Sequence, residues 1–186
     1  MQATAHILGR RGWDGLTTNE VAEVAGVSIG SLYQYFPNKL ALIEAVRRRH
    51  FHDVLAALQA ADGAGSSLAQ RIEGVVQGMI SLHSRYPAVH HVLLEEAPRS
   101  RVSRAAHDAF EAEYLSRYEA LVSASEPARS FACRDTAAQV LSAAIAGVVH
   151  DAARRGNLAS PALEQELIDL VSSYLRKQPR SARRRV

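Results

Sequence analysis

Between Thr18 and Lys39 the chain gathers side chains suited to one kind of chemistry, hydrogen bonding to the grooves and backbone of DNA. Gln34 carries an amide that can pair with adenine N6 and N7, and Ile29 can meet a thymine methyl. Ser31 projects from the same short segment. Ser28, at the start of a helix, stands where unpaired N–H groups and a partial positive charge attract a phosphate. Tyr33 and Tyr35 offer hydroxyls to the backbone, and Thr18 and Lys39 flank them with a hydroxyl and a charge. Contacts to phosphate set register, while contacts to base edges specify sequence. Gly30 costs about 1 kcal/mol relative to alanine inside a helix, and close approach to the groove floor is its compensating use. One of Tyr33 and Tyr35 could instead pack into the core, and Lys39 could simply be solvated.

These residues need two short helices and a tight turn to hold them. Thr17 lies three residues before Glu20, the spacing of a capping box. Val21, Ala22 and Ala25 form an apolar stripe, and Gly26 stops the helix where a left-handed residue is required. Ser28 caps a second helix whose Leu32 and Phe36 face inward, with Val27 read as core beside them. Pro37 ends it, Asn38 caps a third, and Leu40, Ile43 and Val46 carry the apolar face onward. Helix, glycine turn and helix make a helix-turn-helix, which presents its second helix to the major groove.

Thr17-Thr18, Val21-Ala22, Ala25-Gly26-Val27-Ser28, Leu32-Tyr33, Tyr35-Phe36, Asn38-Lys39 and Leu42 together resemble the amino-terminal signature of the tetracycline-repressor (TetR/AcrR-like) transcriptional regulators. The run Leu-Tyr-x-Tyr-Phe-x-Asn-Lys is the specific part. The resemblance points to the same DNA-facing positions and adds Asn19, where relatives sometimes present a base-reading side chain. It implies a homodimer with a small-molecule effector entering a cavity among helices 5 to 8. It also implies a longer first helix with a basic arm, so an upstream natural start is expected, with Met1 internal.

Composition narrows the field further. Residues 1–52 hold six basic residues against four acidic, residues 53–175 ten against fifteen, and residues 176–186 six against none. A mildly basic front on an acidic body suits a reader of particular sites rather than a nonspecific coat. The single Cys133 excludes a disulfide framework and a cysteine zinc site, and fits a reducing cytoplasm. No apolar run is long enough for a signal peptide or a membrane span, so no membrane partner is expected. Eight histidines include His83, His90 and His91, the last four residues before Glu95, but no compact zinc-ligand spacing occurs. No nucleophile elbow or phosphate loop is present. No enzyme activity, metal or cofactor is expected.

The rest reads as helices. One spans about 2–11 and ends at Gly12, with Trp13 and Leu16 packing on the motif. Others span about 39–61, 67–85, Pro87 to before Pro98, 100–124 (stopped at Pro127), 133–155, and a last one opened by Ser160-Pro161. Asp62 to Ser67 is a small-residue linker. Helix 8 is apolar over more than one face. Ala143 and Gly147 form a groove on it, and Leu167, Leu170 and Val171 supply bulk on helix 9 for a dimer contact. The expected fold is all-α: a helix-turn-helix domain at 1–46, a helical ligand-binding and dimerisation domain at 47–177, and a basic tail at 178–186 without fixed structure. The expected function is a DNA-binding regulator released from its operator by an effector of unknown identity. An activator without an effector, and a helical interaction module with a degenerate helix-turn-helix, are the alternatives.

Overall fold

The computed structural model describes residues 2–63, 65–85, 87, 89–98, 100–125 and 131–176. The basic tail and Pro127 lie outside them, as does the side chain of Glu95. Among the described residues no strand occurs. The chain runs α1 (Gln2–Gly15), α2 (Thr18–Ala25), α3 (Ile29–Tyr35), α4 (Lys39–Ala61), α5 (Leu68–Arg85), α6 (Val89–His91), α7 (Arg101–Ser125), α8 (Phe131–Arg155) and α9 (Pro161–Arg176). A π-helical turn, Val92–Glu96, continues α6, closed by Ala97 N–H donating to the Val92 carbonyl at 2.8 Å.

The helix signals in the sequence act as expected, with some corrections. Thr17 Oγ1 accepts from Glu20 N–H at 3.2 Å, while the Glu20 carboxylate turns away to Arg11 at 3.3 Å. Gly26 adopts φ 68°, and Val27 N–H bonds back to the Ala22 carbonyl at 3.0 Å, a Schellman close. The left-handed step leaves Val27 exposed rather than in the core, and Ala25 is exposed too. Gly12 breaks α1 with φ 68° and ψ −173°, but one more helical turn follows the kink to Gly15.

Two buried cores result. The first unites Leu8, Leu16, Val21, Leu32, Leu42, Ile43 and Val46 with Val89, Val92, Leu93 and Ala97. The α6 segment, remote in sequence, thus completes the core beneath the helix-turn-helix. The second is built from α4, α5, α7, α8 and α9 around Leu58, Val76, Tyr118, Leu141, Ile145 and Val171. α4 contributes to both.

Arg47 fastens the junction. It is fully buried on α4, and its guanidinium donates to the Leu93 carbonyl (2.7 and 3.0 Å), the Ala97 carbonyl (3.2 Å) and Ser103 Oγ (2.7 Å). Carbonyls at the end of a helical segment carry partial negative charge, so a cation there is stabilised without leaving them unsatisfied. Glu44, one turn earlier, accepts from Ser100 N–H at 3.3 Å. Together they tie α4 to both ends of the connection between α6 and α7.

Candidate nucleic-acid interface and effector cleft

α3 stands on Leu32, buried in the first core, and presents its other side chains outward. Ser28 Oγ accepts from Ser31 N–H at 3.0 Å and shares a hydrogen bond with Ser31 Oγ at 2.8 Å, so both serines first secure the helix start. Asn19, Ser28, Ile29, Gly30, Ser31, Gln34, Tyr33 and Tyr35 are all exposed, Tyr35 at 79%. That exposure removes the alternative that one tyrosine packs in the core. Thr18 is half-buried, and its hydroxyl shares a 3.0 Å hydrogen bond with Tyr33, which braces α2 against α3. At Gly30 an added Cβ would meet only Ser28 Oγ, at 3.8 Å, so nothing within the protomer requires glycine there.

Lys39 is more committed than its sequence position suggests. Its ammonium donates to the Trp13 carbonyl at 2.6 Å and lies 4.1 Å from the indole centroid. It pins the kinked end of α1 to the start of α4. A lysine ammonium has three N–H groups, so this contact leaves others for a phosphate. Asn38 caps α4 beside it, accepting from Ala41 N–H at 2.8 Å.

Between α1, α4 and α5 lies a cavity of about 630 Å³, lined by Gln2 and Ala5 of α1, residues from Val46 to Ala57 of α4, residues from Gly78 to Arg85 of α5, and Val89. The resemblance put an effector cavity among helices 5 to 8. The cavity seen here lies between α1, α4, α5 and Val89 of α6. Its volume falls in the usual range of small-molecule sites. Arg49, Asp53, Ser81, His50 and His83 supply polar groups among Val46, Ala57 and Leu82.

At its wall is a cluster that the sequence concealed. His50 (α4), His83 (α5), His90 (α6) and His150 (α8) come together although up to 100 positions separate them. His50 Nε2 and His90 Nδ1 share a hydrogen bond of 2.8 Å; His83 Nε2 and His150 Nε2 are 3.3 Å apart. Burial is the main cause that lowers all four pKa values, to about 4 for His50 and His150 and about 2 for His90, and mutual repulsion adds to it for His50, His90 and His150. His91, paired with Glu96 at 3.4 Å, belongs elsewhere. Compact spacing was the wrong criterion here, because each imidazole comes from a different helix.

The second exposed surface is on α8 and α9. Among the described residues, the exposed large hydrophobics are Val24, Val27, Ile29, Tyr33 and Tyr35 around α3, and Val140 and Leu170 on these two helices. Ala143 is exposed, and Gly147 has nothing within 4 Å of an added Cβ. Leu167 and Val171 correct the expectation for α9. They are 2% and 1% exposed and fill the protomer's own core, since positions 167, 171 and 175 share its inward stripe. Leu170, half exposed, alone of the three faces out.

Residues 1–46 match the family described as bacterial regulatory proteins, tetR family, and residues 67–175 the tetracyclin repressor-like C-terminal domain. The chain is 30% identical over 117 residues to the HTH-type transcriptional repressor KstR of Mycolicibacterium smegmatis, 63% of this chain and 55% of that protein. It is 29% identical over 87 residues to the nucleoid occlusion factor SlmA of Haemophilus ducreyi, 47% of this chain and 43% of that one. The chain therefore spans about half the length of these relatives. A transcriptional regulator from Rhodococcus sp. Rha1 superposes with a TM-score of 0.77 at 22% identity, covering 95% of this chain and 96% of that one, a likeness of fold.

Proposed function

The chain belongs to the tetR family of bacterial regulatory proteins, and from that premise we propose that it is a homodimeric, cytoplasmic repressor that binds a short pseudo-palindromic operator and leaves it when a small molecule fills the cleft between α1, α4 and α5. The observation that carries this reading is the outer face of α3, a capped helix on a buried core with Gln34, Tyr33, Tyr35 and an unobstructed Gly30 turned to solvent. Gln34 and Ile29 read bases, with Asn19 and Ser31 beside them. The helix start at Ser28 and the hydroxyls of Thr18, Tyr33 and Tyr35 hold the phosphates. Lys39 holds α1 against α4 and adds its charge at the flank.

The dimer forms through Val140, Ala143 and Gly147 of α8 with Leu170 of α9, the exposed apolar and small residues there. Two copies of α3 then face half-sites about one DNA turn apart, ~34 Å. The cleft mixes Arg49 and imidazoles with aliphatic walls, which suits an amphipathic effector. Its coupling to DNA need only be ~1–3 kcal/mol.

Selection from random duplexes tests the reading. The expected product is a two-fold related pair of half-sites, and Gln34→Ala should relax preference at one base pair of each, by ~1–3 kcal/mol. Equal affinity for every duplex would discard it. A reporter placed behind the selected operator then separates repression from activation.

A further inference from the structure

Four imidazoles gathered in one cluster need an explanation beyond packing. His83 is buried and the other three are half-buried; aliphatic side chains would fill the same space without desolvating ring nitrogens, and buried polar groups cost free energy unless partnered. The geometry supplies partners of a particular kind. His83 is buried on α5, and its Nδ1 lies 2.8 Å from the Met79 carbonyl. A carbonyl only accepts, so Nδ1 carries the proton and Nε2 turns its lone pair into the cluster. An imidazole held through its far nitrogen in this way is the usual support of a metal-ligating histidine, since it fixes both tautomer and ring orientation. One nitrogen from each of His50, His83 and His90 lies within 4.8 Å of the other two, and His150 Nε2 is 3.3 Å from His83 Nε2. Ligands about 2.0–2.1 Å from a tetrahedral ion stand roughly 3.3 Å apart, so the nitrogens of His50, His83 and His90 need to close by at most about 1.5 Å, while His150, outside that group of three, must swing in further.

We propose that His50, His83 and His90, with His150 as fourth ligand, bind one divalent transition-metal ion per protomer at the wall of the cleft. An all-imidazole set selects zinc, cobalt, nickel or copper over magnesium and calcium, which require oxygen ligands. The ligands come from α4, α5, α6 and α8, so one ion would hold four helices together at a single point. His50 and His83 also line the cleft, which places the ion beside whatever occupies it. This site rests on the cluster's geometry alone and stands whether or not the chain is a repressor.

The test uses the full chain free of any histidine tag, stripped with chelator and dialysed. Cobalt(II) titration followed by visible absorption should saturate at one ion per protomer with a four- or five-coordinate spectrum, and zinc should displace it. His50→Gln and His90→Gln, each shown folded by circular dichroism, should weaken binding at least about tenfold. X-ray absorption at the zinc edge of the wild-type protein covers the case in which the variants fail to fold. Three or four imidazole nitrogens near about 2.0 Å would support the site. No saturable cobalt signal, binding unchanged by both substitutions, or a zinc shell without imidazole scattering would each overturn it.

Discussion

Gly30 occupies the first turn of α3, where a Cβ would make only an ordinary contact with Ser28 Oγ, so its cost to the helix is recovered nowhere inside the protomer. Gly30→Ala should raise thermal stability by up to about 1 kcal/mol. The same methyl should weaken operator binding, because it stands where DNA must approach. Thermal unfolding and fluorescence anisotropy on the two proteins measure both effects, and a gain in stability with unchanged affinity would separate Gly30 from the DNA. Lys39 has the opposite signature. Lys39→Ala removes a 2.6 Å hydrogen bond and a cation–π contact that are half-buried, so stability should fall by about 1–2 kcal/mol. If a remaining N–H also reaches phosphate, the salt dependence of binding should become shallower by about one unit of slope. An unchanged slope with lower stability would make Lys39 a brace alone. Sequence marked both residues as candidate DNA contacts, but not that one is unobstructed and the other tethered, since Trp13 is 26 positions from Lys39.

At the scale of elements, boundaries were legible where capping chemistry is local. Thr17, Gly26, Ser28, Asn38 and Ser160 each act within three or four residues, and each marks its helix end in the structure. What escaped was tertiary: the buried Arg47, the π-helical turn it holds, and the histidine cluster all depend on α6 packing beneath α1. That cluster predicts a pH response in chelator-treated protein. Unfolded histidines titrate near ~6.5, and the folded values lie below this, so the unfolded chain binds more protons as pH falls. Their contribution is complete above about pH 6.5 and is lost as pH drops from there toward about 4. Asp53 opposes the shift of His50 and the Met79 carbonyl that of His83, whereas His91 adds to that of His90. The thermal midpoint should therefore be level above neutrality and fall between about pH 6.5 and 4.5, with a shallower fall in His50→Gln. A flat midpoint across that interval would contradict the burial of these imidazoles.

For the whole molecule, the proposed dimer rests on the exposed face of α8 and α9, where Gly147 leaves room beside Val140 and Leu170. An added Cβ at Gly147 meets nothing within 4 Å, so Gly147→Leu should leave the protomer's fold intact and obstruct only a second copy. Sedimentation should show dissociation at concentrations where the wild type is a dimer, and operator affinity should fall with every α3 side chain unchanged. A monomeric wild type that binds its operator tightly would refute the arrangement. The outward face of α8 was legible from its excess of apolar positions, whereas which residues of α9 share it was not, because leucine alone does not distinguish core from interface. α4 also has a mechanical consequence. It is a single beam of 23 residues, about 34 Å long, held by Arg47 about a third of the way along and embedded among aliphatic residues at its far end. Pivoting such a beam by about 5° about its Ala61 end sweeps the Lys39 end, next to α3, through about 3 Å. A cleft that widens by less than the width of a methyl group could therefore move a reading head by a distance the DNA would register.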